Sequence, residues 1–374
     1  MPSSNIEMQQ VPFVNFPAQY IEEREEIHNC VERIFTQGNF VGGDEVLQLE
    51  DEISKIISTK HTIAVNSGTD ALVLSMRALG IGKNDEVITT PNSFIASAAA
   101  IVAIGAKPVF VDVKPDQNIN PDLVVEAITK NTKAIMPVHL TGRVAEMNCL
   151  KSLADNHGLF LIEDAAQSFG SQYEKKMSGS IGDVGCFSAH PLKNFNAAGD
   201  AGFITTNNTN LANRLKLIRN HGLKNRETVT EWGTVSRLDS LQAAFLRNRL
   251  TRIDSIIKRR RTNAALYQKL LLNTPVFCPP CLKEEFNTFH TFVVQVERRD
   301  ELKKFLLDRG IETSIHYPTP IHLQPVASYL GYSKGDFPET ERQASNILSL
   351  PINQYLKKTD IEYVSLAIKE FFRD

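Results

Sequence analysis

"LFLIEDAAQSFG" occupies residues 159–170. Its four leading apolar residues show no polar alternation, which predicts a strand covered on both faces, as in a parallel sheet. The run ends on Glu163 and Asp164. A carboxylate at the end of a central strand either caps a following helix or partners a cation. Outward from this stretch, similar β-branched runs recur as "TIAV" (62–65), "EVITT" (86–90), "PVFVDV" (108–113), "KAIMPV" (133–138) and "GFITT" (202–206). Between most of them lie segments of helical spacing, such as "DALVLSMRALG" and "AEMNCLKSLADNHG", which both end on glycine as a helix stop. The alternation predicts an α/β fold with a mostly parallel sheet and helices on both faces. Ligands of such sheets bind beyond the C-terminal strand ends, so the residues just after each strand are the candidates for chemistry. A long helical region is expected over 209–272, with "KRRR" (258–261) as a solvated helix face. After about Pro275, "HTFVVQV", "RDELKKFLLDRG" and "TDIEYVSLAIKEFF" predict a smaller α+β domain. The expected division is an N-terminal segment 1–20, a large domain 21–255 and a small C-terminal domain 256–374.

With 374 residues, 42% hydrophobic and 22% charged, the chain has the composition of a globular protein long enough for two domains. A net charge of -2 gives no basic field for nucleic acid. No apolar run approaches the ~20 residues of a membrane span. "MPSSNIEMQQVPFVNF" shows no basic segment followed by an apolar one, so a cytoplasmic protein is expected. Five scattered cysteines, Cys30, Cys149, Cys186, Cys278 and Cys281, do not form a disulfide framework. The lone CxxC in "FCPPCLK" reads as two loop cysteines around a stiff Pro-Pro. His322 follows His316 by six positions without a third ligand, so no metal is expected.

Three groups carry the chemistry. In "VNSGTDAL" (65–72) a strand ends and a helix begins near Thr69, so Ser67, Gly68 and Thr69 offer backbone N–H groups and hydroxyls to an anion such as phosphate. A plain capped turn would use the same residues. Asp164 comes second, with Gln167 three residues on. The third is Lys193, in "GCFSAHPLKNFNAAGDAGFITTN" (185–207), set among apolar and small residues with Ser188 five positions earlier. Withdrawn from water, its amine loses basicity and becomes a usable nucleophile. A phosphate seat, a carboxylate and an amine on one sheet are what pyridoxal 5'-phosphate requires: lysine for a Schiff base, aspartate to keep the ring nitrogen protonated.

The sequence also resembles the fold-type I, PLP-dependent sugar aminotransferases of the DegT/DnrJ/StrS type. The likeness rests on "NSGTDAL", "GAKPVFVDV", "IMPVHLTG", "IEDAAQSFG", "CFSAHPLKN" and "SRLDSLQAAFL", in that order over nearly the whole chain. The resemblance implies that Lys193 carries the Schiff base, Asp164 pairs with the pyridinium nitrogen and Gln167 contacts the ring's phenolic oxygen. It further implies that Gly68, Thr69 and Ser188 bind the cofactor phosphate, that Phe94 stacks on the ring, and that His316 and Tyr317 line the sugar pocket. A homodimer with the active site at the subunit interface follows from the same likeness. One departure is Val235: in "WGTVSR" it stands where the family's GxNxR segment has an asparagine that reaches the partner's cofactor phosphate. Thr234, Ser236 and Asn225 are the candidates to replace it.

The expected reaction moves an amino group from an amino acid, L-glutamate, to a keto-sugar that is nucleotide-linked. The alternatives are an aminotransferase for a keto-inositol and a PLP-dependent sugar dehydratase of the same family, which carries histidine where this chain has Lys193. A non-catalytic regulator that has kept the fold is the reading from another class.

Overall fold

The computed structural model describes residues 9–373; the first part of the expected N-terminal segment lies outside them. Seven strands form the main sheet: β1 (His61–Val65), β2 (Glu86–Thr89), β3 (Lys107–Phe110), β4 (Thr132–Ile135) and β5 (Phe160–Asp164), then, past a small hairpin of β6 (Gln172–Tyr173) and β7 (Lys176–Met177), β8 (Val184–Ser188) and β9 (Gly202–Thr206). Their order is β1-β9-β8-β5-β4-β2-β3. The pairs β2–β3, β2–β4, β4–β5 and β5–β8 are parallel, whereas β9 runs antiparallel to both β1 and β8. Reversal of β9 brings its first residue, Gly202, between Val65 and Ser188 at the C-terminal ends of the neighbouring strands.

Strand β8 is absent from the expectation above. In "VGCFS" a glycine stands second in a short apolar run, and glycine weakens a strand reading. The structure gives the reason for that glycine: a Cβ at Gly185 would meet Gly179 Cα at 2.4 Å and Thr205 Oγ1 at 2.6 Å. Close backbone approach, not looping, selects it.

The helices are α1 (Phe16–Gln37), α2 (Asp44–Ile57), α3 (Gly68–Ala78), α4 (Ala96–Ala103), α5 (Pro121–Ala127), α6 (Met147–His157), α7 (Thr209–Ile218), α8 (Ser240–Leu250) and α9 (Ile253–Leu270). The continuous helical region expected over 209–272 is therefore broken: between α7 and α8 the chain crosses an irregular segment, 219–239, held by backbone bridges such as Asn220 with Val235. The expectation for 258–261 is also corrected. Ile253, Ile257, Arg260, Ala264 and Tyr267 recur at helical spacing on the buried face of α9, so Arg260 is buried while Lys258 and Arg259 are exposed.

Helix α9 runs without a break through residue 255. Ile253 and Ile257 pack with β8, β9 and α8 residues such as Phe187, Phe203 and Leu246. Ala264 and Tyr267 pack with a second cluster built on β11 (Phe292–Gln295) and β12 (Ile347–Leu350), which pair antiparallel, and on α10 (Arg299–Leu307) and α12 (Lys358–Phe371). Val11 joins that second cluster and bridges to Ile311, so the start of the described chain is tied to its C-terminal part. The remaining strand, β10 (Glu285–Phe286), pairs with β6, and α11 (Pro338–Asn346) leads into β12.

Candidate active site

A cavity of about 560 Å³ opens at the C-terminal ends of β1, β5 and β8. Gly68, Thr69, Phe94, Asp164, Gln167, Ser188, Lys193, His316 and Tyr317, all singled out from the sequence, line it together. Residues that sequence reasoning passed over join them, notably Ser97, Arg260 and His290.

Asp164 lies at the end of β5 and is 4% exposed. No helix follows it directly, so it is not a helix cap. Its Oδ2 accepts from Ser97 Oγ at 2.7 Å and its Oδ1 from the Ala166 N–H at 3.2 Å. Ser97 Oγ is also 2.8 Å from Ser93 Oγ. Burial raises the carboxyl above its usual range, while the Ser97 and Ala166 bonds, Lys193 and His139 pull it back. Strand alternation turns the adjacent Glu163 to the other face. There Glu163 is fully buried and accepts from the N–H groups of Gly179, Ile181 and Gly182 and contacts His139 Nε2, all at 2.7–2.9 Å. Of the two carboxylates, Glu163 holds the segment that leads into β8, and only Asp164 faces the cavity.

Lys193 follows β8 in a tight turn, with its N–H donating to His190 O at 2.8 Å. Burial lowers its amine to about 8, with Asp164 opposing the shift. The next residues are clamped. Asn196 Nδ2 donates to Pro191 O at 2.7 Å, Gln19 Nε2 donates to Asn196 Oδ1 at 3.2 Å, and Arg249 Nη1 donates to Asn196 O at 2.6 Å. Helices α1 and α8 thus hold the lysine loop from both sides.

Gln167 is oriented at both ends: its Oε1 accepts from the Thr141 N–H at 2.8 Å and its Nε2 donates to Tyr317 Oη at 3.3 Å. The Phe94 ring is half exposed and tilts against Tyr317 with centroids 5.7 Å apart. His316 Nδ1 lies 2.7 Å from Ser349 Oγ, and burial together with Lys193 lowers its pKa to about 4, so its ring is neutral. Burial raises Tyr317 to about 12.

A corner rich in N–H donors lies where α3 begins. Ser67 Oγ caps the helix by accepting from the Asp70 N–H at 3.1 Å, and the first-turn N–H groups at Gly68 and Thr69 have no acceptor within the helix. A Cβ on Gly68 would come 2.7 Å from Ser188 Cβ, and one on Gly202 would come 2.4 Å from the carbonyl carbon of Ser67. Only glycines let β8, β9 and the start of α3 close to this distance. The donor-rich corner, the buried carboxylate and the depressed amine fit pyridoxal 5'-phosphate in charge and in chemistry.

Val235 is 47% exposed on the segment between α7 and α8. Of its candidate substitutes, Asn225 accepts from the Glu227 and Thr228 N–H groups on its Oδ1, and the buried Ser236 Oγ donates to Asn66 Oδ1 at 3.3 Å and accepts from the Asn66 N–H at 3.4 Å, so its one proton is already committed. His322 Nε2 contacts Glu341 Oε1 at 3.1 Å, and no group of metal-ligating side chains forms among the described residues. All five cysteines are free, and the Arg143 guanidinium donates to Pro279 O and Pro280 O between Cys278 and Cys281. No helix among the described residues is long and apolar enough to cross a membrane.

Residues 21–369 match the DegT/DnrJ/EryC1/StrS aminotransferase family. The chain belongs to this family. Among its relatives in the family is a "Pleiotropic regulatory protein" of Geobacillus stearothermophilus, 41% identical over 97% of this chain and 99% of the relative. Another is the dTDP-3-amino-3,4,6-trideoxy-alpha-D-glucose transaminase of Streptomyces venezuelae, 41% identical over 99% of this chain and 98% of the relative. The crystal structure of S. venezuelae DesV in complex with a ketimine intermediate superimposes with a TM-score of 0.95 at 40% identity, covering 98% of this chain and 99% of that one. NtdA of Bacillus subtilis, solved with bound cofactor PMP, gives a TM-score of 0.89 at 30% identity, covering 99% of this chain and 87% of that one. Aminotransferases of the family are PLP-dependent, and the fold described above is the fold-type I architecture.

Proposed function

We propose that this protein is a PLP-dependent aminotransferase that moves an amino group from an amino acid, L-glutamate, to a keto-sugar carried on a nucleotide. The observation that carries the reading is the convergence of Lys193, Asp164 and the start of α3 on one cavity. The transaminase name of a relative 41% identical supports a nucleotide-linked acceptor. Pyridoxal phosphate, when bound, supplies an electron sink that lets a C–H bond beside an amine break.

The chain's own residues supply the rest. With its amine lowered to about 8, Lys193 is uncharged in a useful fraction near neutral pH, so Nζ can bind the cofactor and then take and return a proton. Asp164, fixed by Ser97, offers its negative charge to the ring nitrogen. Gln167 keeps an amide N–H for the ring oxygen, Phe94 covers one ring face, and Gly68, Thr69 and Ser188 take the phosphate. His316, neutral and bonded to Ser349, and Tyr317 line the sugar side of the cavity. Lysine rather than histidine at 193 counts against the dehydratase alternative. One relative bears a regulatory name, but the intact Lys193–Asp164 pair favours a working enzyme.

A homodimer with the site at its interface belongs to the same reading. It is supported by exposed apolar side chains on α1 (Tyr20, Ile21, Phe35) and by Trp232, 90% exposed on the segment that carries Val235; sedimentation tests it. The reading also places the enzyme in the cytoplasm, which cell fractionation tests. The decisive experiment is spectroscopic. Adding L-glutamate to the yellow holoenzyme should bleach its visible band, a keto-sugar nucleotide should restore it, and Lys193→Ala should do neither while remaining folded. A holoenzyme spectrum unmoved by any amino acid would overturn the proposal.

A further inference from the structure

Lys193 stands in the loop between β8 and β9, where no helix or strand fixes it. Two backbone bonds close the loop at its base: the Ala189 N–H donates to Ala201 O at 2.8 Å and the Ala197 N–H to Ala189 O at 2.7 Å. Above that base the side chain of Asn196 ties together the two arms that bracket the lysine. Both hydrogens of its amide are used, for Nδ2 donates to Pro191 O at 2.7 Å and to Gln19 Oε1 at 3.3 Å. Its Oδ1 accepts from Gln19 Nε2 at 3.2 Å, so the two amides pair reciprocally. Gln19 Nε2 also donates to the Glu23 carboxylate at 3.3 Å. Arg249 Nε and Nη2 hold that carboxylate at 2.8 Å, while Nη1 donates to Asn196 O at 2.6 Å. All four side chains are buried. Asn196 and Gln19 line the cavity, yet each amide has spent both of its donors on the protein, so they act through the loop and not on a ligand.

We infer that Asn196 is a positioning residue for Lys193: paired with Gln19 of α1, it holds the loop so that the lysine amine takes and returns its proton at one fixed point. The inference rests on the aminotransferase reading above. A displacement of about 1 Å at the reacting atoms costs a rate about 100-fold, so a loop without regular structure needs such a clamp. Lys193 shares the cavity with Asp164 on β5, Asp200 and His190 on its own loop, Arg260 on α9, and His290 and His316 from the C-terminal part. Burial is the cause of its lowered basicity, and Asp164 alone opposes it. The clamp adds only the Glu23–Arg249 pair, whose charges cancel. How far the amine is withdrawn from water therefore depends on where the loop holds it.

The test uses wild type, Asn196→Ala and Gln19→Ala, each cofactor-loaded and stripped of cofactor. Stripped protein is mixed with pyridoxal phosphate across pH, and the growth of the visible band is timed. In both variants the pH of half-maximal capture should rise by about one pH unit, because a loosened loop lets the amine reach water. In the loaded enzymes the maximal rate of the L-glutamate reaction should fall about 10- to 100-fold, with the half-saturating glutamate concentration unchanged. Variants that melt lower than wild type but keep both the pH profile and the maximal rate overturn the inference, since the clamp would then serve stability alone. A loss confined to half-saturation overturns it too, because that places Asn196 against the substrate. Should Asn196→Ala fail to fold, Gln19→Ala, which leaves the bond from Asn196 to Pro191 in place, decides by the same two readouts. A wild type that captures pyridoxal phosphate but responds to no amino acid takes down the function, and the pH profile of capture then decides the inference by itself.

Discussion

Replacing Lys193 with methionine should abolish activity and at the same time stabilise the cofactor-free protein. Methionine keeps nearly the same length and removes the charge. The lysine amine lies at about 8 in the fold against 10.5 in the unfolded chain. At pH 7 the fold therefore carries a charged group that its burial disfavours by about 3 kcal/mol. The side chain keeps some access to the cavity, so this is an upper bound. The sign follows from a folded value that is depressed for a base. Stability is complete above about 10.5, where both states are neutral, and is lost as pH falls towards about 8. Unfolding entropy for 374 residues is about 0.8 kcal/mol/K, so about 3 kcal/mol corresponds to a rise of about 4 °C in Tm. Calorimetry of the two cofactor-free proteins at pH 7 and pH 10 reads the effect, and the gap should shrink to about 1 kcal/mol at pH 10. A Lys193→Met protein that melts below wild type at pH 7, or a gap indifferent to pH, would refute the reasoning.

Ser97→Ala removes the hydroxyl that donates to Asp164 at 2.7 Å; losing a bond to a charged group should raise the carboxyl further and weaken cofactor binding about 10-fold or more, read by titrating the apo-protein with pyridoxal phosphate across pH. Retained affinity with an unchanged pH profile would count against that role for Ser97. Gly202→Ala would push a methyl to 2.4 Å from the Ser67 carbonyl carbon, so cofactor retention should be lost, and a cofactor-saturated Gly202→Ala protein would contradict the close packing. Glu163→Ala strands the buried Gly179 N–H and the half-buried N–H groups of Ile181 and Gly182; it should cost about 2–3 kcal/mol in a denaturation curve, with a change below about 1 kcal/mol as the contrary result.

Several of these groups were legible before any coordinates. Asp164 stands at the end of an apolar run, Ser67-Gly68-Thr69 stand between a strand and a helix, and Lys193 stands among small residues; each signal is local, because burial patterns and capping chemistry are written within a few residues. The chain order of these motifs was enough for the α/β architecture and for placing the candidates at one edge of the sheet. Strand direction was not legible, since an apolar run such as "GFITT" reads the same in either orientation, and only pairing with β1 and β8 reversed β9 and brought Gly202 into the site. Strand β8 stayed hidden because its Gly185 answers to the close approach of Gly179 and of Thr205 on β9, a contact made only when β8 and β9 pair. Ser97 became part of the site only when α4 met the end of β5. Arg260 had left a trace, the helical spacing it shares with Ile253, Ile257, Ala264 and Tyr267, but a run of four basic residues reads as solvated until a neighbouring element covers one of them. Local patterns thus determined which residues could do chemistry; the packing of distant segments decided which of them meet, because burial and close approach are properties of pairs that the linear chain keeps apart.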